Sequence, residues 1–393
     1  MPGVTTLREV LDAVDGWYPP GWAQSWDAVG LVCGDPAELV DHVVLAVDAV
    51  PATVDEAVAR RALLITHHPL LLSGVHGVGA DDPKGALIHR MIRCGVGHYV
   101  AHTNADVASP GVSDALADRL GLGGLRPLEA PRAGDLVRDQ EDLDKLVVFA
   151  PLAATQSLID ALSAAGAGKL GDYDRCAWTT SGAGTFRPGA AATPAVGEPG
   201  RIEVVEEARI EMVLPRRLRA AVVAALRAAH PYEEPAFDLL AMAELPAVDD
   251  ARGTGRVGEL ARPCTLREFA QHAASVLPAT RWGIRVAGDP DRRVARVAVC
   301  GGSGGSLIER ARRMGADVYL TADLKHHTAV EAVTERGAAG MALIDVAHWA
   351  TEAPWLDQVA GLLRGRFGTT VDVAVSQVVT DPWSVHIPSS ESS

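Results

Sequence analysis

Residues 43–69, VVLAVDAVPATVDEAVARRALLITHHP, carry the reading that decides the fold. Apolar β-type runs at 43–47 and 63–65 flank a stretch, 54–62, whose apolar residues recur at helical spacing. Strand, helix, strand in so short a span predicts a sheet with covering helices. Working outward, the pattern continues through GALIHRMIRCG (85–95), VGHYVAHTNAD (96–106) and GVSDALADRLG (111–121). It returns near the other end in ARVAVCGGSGG (295–305), SLIERARRMG (306–315), ADVYLTADL (316–324), HTAVEAVTERG (327–337), AAGMALIDVAH (338–348) and a last helix around 353–368. Both ends therefore read as α/β.

Between them the character changes. Residues 142–168, 179–200 and 209–242 give strand, helix, strands, helix, strand, the order of a ferredoxin-like α+β unit, read here as an inserted module over 143–245. Glycine and proline crowd 182–200, which predicts a long loop or broad hairpin within it. Residues 121–142 and 245–256 are expected to be linkers, leaving core halves at 1–130 and 257–385 and a frayed tail at 386–393.

The chain has 393 residues, enough for two or three domains, with 48% hydrophobic and 22% charged residues as in globular proteins. Its net charge of −14, from 36 basic against 50 acidic residues, gives no basic footprint, so nucleic acid is not the expected partner. Cys33, Cys94, Cys176, Cys264 and Cys300 are scattered without a Cys-x-x-Cys pair, which argues against a disulfide scaffold or a cysteine zinc site. The N-terminus is a charged amphipathic helix and no run of about 20 apolar residues occurs, so no membrane span is expected and the cytoplasm is the expected location.

Three apolar runs end in metal-ligand residue types. LLITHHP delivers His67 and His68; YVAHTNAD delivers His102, Thr103, Asn104 and Asp106; MALIDVAHWATE delivers Asp345, His348 and Glu352. The carboxyl ends of strands in an open α/β sheet are where ligands bind, so residues distant in sequence can share one cleft. Imidazole and carboxylate suit zinc, iron or manganese, and a carboxylate can bridge two cations. Five ligands, His67, His68, Asp106, His348 and Glu352, suit two divalent ions better than one. His348 and Glu352 are four apart and would share one face of a helix beginning near Trp349. Neighbouring strand residues point to opposite faces, so His67 and His68 can both bind only from a non-strand conformation, which Pro69 favours. The alternatives are ordinary: Asp106 as a turn residue, Glu352 as a first-turn helix acid.

THHP, HTNAD, TADLKHHTAVEA, LIDVAHWATE, WDAVGL and HPYEEPAFDLL together resemble the NIF-three-like dinuclear metal family, the GTP cyclohydrolase 1 type 2 homologues, over nearly the whole chain. The resemblance implies two similar α/β halves with a metal pair between them, a homohexameric ring, and an insert of the PII/CutA kind in the long bacterial form. It implies the same five ligands, with Asp106 or Glu352 bridging, and a metal-dependent conversion of GTP to formate and 7,8-dihydroneopterin triphosphate. Glu352 and His327 would be its catalytic residues, His327 as acid, base or substrate contact. A non-catalytic ring serving as metal store, chaperone or regulatory adaptor is the alternative. The chain departs from the family at Ala28, where Asn is frequent, and at Ala322, where Gly is usual.

Other motifs read less sharply. VAVCGGSGGSLIERA could cradle a phosphate through Ser303, Ser306 and backbone N–H groups, or could be a tight turn with close helix packing. Asp323 could cap a helix, Lys325 could meet a phosphate, and Glu233 and Glu234 read as a solvent-facing or interface loop. His76 and His98 carry no specific signal.

Overall fold

A computed structural model describes residues 4–130, 143–170, 173–242, 251–334 and 340–387. They divide into two compact units, one from 1–135 with 247–393, the other from 136–246.

The first unit contains two sheets built to one plan. Its N-terminal part runs α1 (Leu7–Trp17), β1 (Gly30–Cys33), β2 (His42–Ala46), α2 (Pro51–Arg60), β3 (Leu63–Thr66), α3 (Pro83–Arg93), β4 (His98–Val100), α4 (Thr103–Val107), α5 (Val112–Arg119) and β5 (Leu122–Glu129). β2, β3 and β4 are parallel, joined by the crossover helices α2 and α3, and β1 closes the edge antiparallel to β4.

The second unit follows as β6 (Leu143–Pro151), α6 (Thr155–Ala164), β7 (Ala177–Phe186), β8 (Glu203–Pro215), α7 (Arg219–Ala229) and β9 (Phe237–Ala241). The sheet order is β7-β8-β6-β9. Leu146, Val148, Ala208 and Ile210 turn to the helices and bury against Leu158, Leu162, Val222 and Leu226. β7 runs straight through Gly182 and Gly184 to Phe186, paired with β8, so the glycine-rich stretch is a hairpin whose loop begins only at 187.

The chain then returns to the first unit with β10 (Thr254–Thr265), α8 (Leu266–Val276), β11 (Ile284–Ala287), β12 (Arg293–Ser303), α9 (Ile308–Arg313), β13 (Val318–Ala322), α10 (His326–Thr334), β14 (Ala342–Val346), α11 (His348–Phe367) and β15 (Asp372–Val375). β12, β13 and β14 are parallel and β11 closes the edge antiparallel to β14, repeating the plan of β1 to β4. The sequence shows the repeat where each plan begins: TLRE at 6–9 and TLRE at 265–268 form the same capping box. In each, the carboxylate accepts from the threonine backbone N–H at 2.7 Å.

The two halves exchange their last elements. β15, from the end of the chain, pairs parallel with β2 in the first sheet, while β5 pairs with β10 in the second. Their helices follow: Trp355, Leu356, Val359 and Leu363 of α11 bury with Val43, Leu45 and Ile65, and Leu116 of α5 with Leu120 just after it buries with Val297, Val299 and Leu320. Arg256 fastens this second contact. It is 1% exposed and donates to both Asp114 oxygens at 2.7 Å and to the Ala108, Gly253 and Gly255 carbonyls.

Sheet membership therefore corrects the expected halves at 1–130 and 257–385. The expected linkers contain strands: β5 lies within 121–142, and β10 starts inside 245–256. Gly255 and Gly258 of β10 sit where a Cβ would strike neighbouring strands. Residues 131–142, 243–250 and 388–393 lie outside the described residues. Among the described residues no helix is long and apolar enough to cross a membrane.

Candidate metal centre

β3 stops at Thr66, so His67 and His68 leave the sheet. Their N–H groups still donate to Ala46 and Val47 carbonyls, while the Thr66 hydroxyl donates to the His68 carbonyl at 2.9 Å and shapes the bend. That hydroxyl's one proton is thereby used, so His98 Nε2, 2.9 Å away, must be the donor to its oxygen. His98 is fully buried and its imidazole is pushed down to about 4 by burial, so it supports the bend as a neutral ring.

β4 ends two residues before His102, the N-cap of α4, which carries Asp106. β14 ends two residues before His348, the first residue of α11, which carries Glu352 one turn on. The two His-x-x-x-acid segments stand at corresponding places in the two repeats, each after the third parallel strand.

The side chains converge. His67, His68 and His102 form one group whose ligand atoms lie within 4.8 Å of one another, and His68, His348 and Glu352 form a second. Glu352 Oε1 is 2.9 Å from His348 Nε2 and 3.5 Å from His67 Nε2; its Oε2 is 3.0 Å from His68 Nε2. Asp106 lies outside both tight groups, with Oδ1 3.6 Å from His67 Nε2.

All four imidazoles are held from behind. His68 Nδ1 donates to Asp48 (2.7 Å), His102 Nδ1 to Asp27 (2.9 Å), His348 Nδ1 to Asp323 (2.6 Å) and His67 Nδ1 to the Ala101 carbonyl (2.9 Å). Those oxygens can only accept, so each Nδ1 carries its proton, and in the neutral rings every Nε2 lone pair is free. His67, His68 and His348 aim Nε2 at acidic oxygens, lone pair against lone pair, and His67 Nε2 is buried with no hydrogen-bond partner. Two things relieve this: extra protons or a cation. Without a metal, burial opposes charging His68 and His348, but the Glu352 carboxylate, helped by Asp48 and Asp323, pushes them up to about 11 and about 10. Burial would raise Glu352, and the surrounding histidines instead hold it well below the carboxylate range. Imidazoles with outer carboxylates are the usual second layer of a metal site, so these residues fit divalent ions.

Gly302 gives the cleft its room. It has φ +65°, and a Cβ there would stand 2.5 Å from Glu352 Oε1 and 3.1 Å from His348 Nε2. Around it the Gly301, Gly302 and Gly304 N–H groups donate to Ser113, Thr351 and Thr321 hydroxyls. The glycine-rich turn thus braces the cleft through donors that a phosphate would have needed, and the tight-turn reading fits it. Asp323 is not a helix cap; it has φ 56° and serves His348. Asp345 faces Arg285, Trp282 and the Leu324 N–H instead of the cleft.

The five ligands expected from the sequence are brought together, Asp106 less tightly than the rest. His102 stands in the first histidine group but was not among the five expected ligands, although its four-residue spacing to Asp106 copies that of His348 to Glu352. The supporting Asp27 of WDAVGL, Asp48, Asp323 and Gly302 were missed too. His327 is exposed on α10, its ring against His326, and joins neither group.

Solved structures share this architecture. A Bacillus cereus protein related to NIF3 is 34% identical, with a TM-score of 0.62 over 98% of this chain and 100% of that one. A Staphylococcus aureus protein is 27% identical, with a TM-score of 0.69 over 97% and 99%. In sequence, the "GTP cyclohydrolase 1 type 2 homolog" of Mycobacterium tuberculosis is 50% identical over 379 residues, 96% of this chain and 97% of that protein. That of Streptomyces coelicolor is 37% identical over 391 residues, 98% and 96%. Residues 5–382 match the family described as Duf34/NIF3 (NGG1p interacting factor 3), and the chain belongs to that family.

Proposed function

We propose that the cleft of His67, His68, His102, Asp106, His348 and Glu352 binds two divalent metal ions and that the chain is a metal-dependent hydrolase. Its relatives carry the name GTP cyclohydrolase 1 type 2 homolog, and the reaction to test first is therefore hydrolysis of GTP to formate and 7,8-dihydroneopterin triphosphate. The observation that carries the reading is the overlap of the two histidine groups at His68, with Glu352 turning its two oxygens to different histidines. That placement suits Glu352 to bridge; Asp106 completes the His67 side. Zinc, iron and manganese all accept such nitrogen and oxygen donors.

Two bound ions would supply a water acidified toward neutrality and a clamp for an electrophilic substrate. The chain's own part is to fix the imidazoles from behind and to leave one side open. The His67 side chain is 0% exposed, whereas those of His68 and His348 are 25% and 34% exposed. A store closed by protein ligands needs no such opening; a catalytic site does. His327, exposed and outside the cleft, is assigned at most a substrate contact.

The test is metal analysis of protein purified without chelator, followed by GTP turnover at equal metal loading by wild type and Glu352→Gln. Turnover by wild type and its loss in the variant is expected. If neither turns GTP over, the named activity is rejected and the metal store or chaperone reading takes its place. The resemblance also supports a homohexamer, and the unit at 136–246 as a PII/CutA-like insert; light scattering and a 143–245 deletion test these.

A further inference from the structure

The second unit has a cleft of its own, of about 310 Å³, between the outer face of its sheet, the loop after β7 and the loop before β9. Leu146, Val148, Ala208 and Ile210 point to the helices, so by strand alternation Phe149 and Glu207 point away from them, into this cleft. Its walls are apolar and aromatic, with Phe149, Phe186 and Tyr232; the Phe186 and Tyr232 rings are 6.3 Å apart. Its charged lining residues are Glu207, Glu233 and Glu234, with no lysine or arginine. Arg209, over the Phe149 ring at 5.8 Å, is engaged by Glu211 at 3.0 Å.

The carboxylates are placed rather than scattered. Burial and then the Glu207 carboxylate push the Tyr232 phenol up to about 12, so the hydroxyl stays protonated as the donor to Glu207. Gly184 makes the space, since a Cβ there would collide with the Glu207 carboxylate. Glu233 accepts from the Thr193 N–H at 3.0 Å and so ties down the loop that walls the cleft. The three acids do not converge as metal ligands: among the described residues, every group close enough to hold an ion lies in the first unit. A compact hard cation therefore has no home here. A diffuse charge on an apolar body does, because ring faces attract it and the carboxylates balance it without chelation.

We propose that this cleft binds a small organic cation, an alkylated or quaternary ammonium compound. The probe is choline, with 3,3-dimethylbutan-1-ol as the uncharged molecule of the same shape, each titrated calorimetrically into the metal-loaded full-length protein. The quaternary nitrogen has no lone pair and the neutral analogue carries the same hydroxyl, so coordination of that oxygen at the metal centre would show equally with both probes. Choline should bind, and the neutral analogue at least about fivefold more weakly. Glu207→Gln and, separately, Glu233→Gln should weaken choline by about fivefold each, while Glu352→Gln leaves it unchanged. Circular dichroism confirms that each variant is folded, and either glutamate variant suffices if the other is not. Equal binding of the two probes, no binding of choline up to about 20 mM, or glutamate variants that bind like wild type would each overturn the proposal.

Discussion

Replacing Gly302 by Ala tests whether the glycine turn is part of the metal centre or merely a turn. The new Cβ would stand 2.5 Å from Glu352 Oε1, whereas ordinary contact begins at 3.4 Å, so the carboxylate must retreat by about 0.9 Å. Metal–ligand distances tolerate only about 0.2 Å. Glu352 should therefore leave the coordination shell, weakening the tightest metal-binding step by about 10- to 100-fold or more. The left-handed backbone adds about 1–2 kcal/mol of instability that has nothing to do with metal. Gly95→Ala separates the two effects, because Gly95 has the same φ, +65°, and open space around its Cβ position. Both variants should melt lower when metal-free, but only Gly302→Ala should lose affinity in a competition against a chromogenic chelator. If Gly302→Ala binds metal as wild type does, or if Gly95→Ala loses it equally, the steric argument is wrong.

Other outcomes follow from the same geometry. Asp27→Asn should weaken metal binding by about 10- to 100-fold by releasing His102, and a chelator competition reads this directly. Metal binding should release protons, because His68 and His348 are charged at neutral pH in the metal-free cleft. Calorimetry in buffers of different ionisation enthalpy counts them, and no buffer dependence would contradict the charged state. In metal-free protein both histidines have folded values above the unfolded one near 6.5. Their stabilisation is therefore complete below about 6.5 and is lost as pH rises through about 10 to 11, and His348→Gln should flatten the fall in melting temperature across that window. Arg256→Met should cost about 3–5 kcal/mol by denaturant titration, because Asp114 loses both guanidinium contacts and keeps only the Gly111 N–H as donor in a buried setting.

THHP and the terminal His348 and Glu352 were legible because each sits where an apolar run stops, and sequence shows where runs stop. His102 was legible in principle through the matching four-residue spacing. Asp48, Asp27 and Asp323 were not, since an acid behind a ring is chosen by the angle of that ring and not by any interval along the chain. The alternation of strands and helices was readable; the repeated TLRE segments at 6–9 and 265–268, which open the two plans, went unread in the sequence. What could not be read is which sheet a strand joins. β5 falls in a stretch read as linker and β15 follows the last helix read at 353–368, and only packing of α5 and α11 carries them across.

That crossing has a consequence for how the molecule is made. A ribosome delivers His67, His68 and His102 hundreds of residues before Glu352, and the face of β2 and β3 that α1 begins to cover is completed only when Trp355, Leu356, Val359 and Leu363 of α11 arrive. The edge of β2 likewise waits for β15. An unfinished chain thus has three histidines and Asp106 on an incomplete sheet, without His348 and Glu352 of the second group. The last elements synthesised act as a clasp: the same stretch of chain closes the first sheet and brings His348 and Glu352 to the cleft.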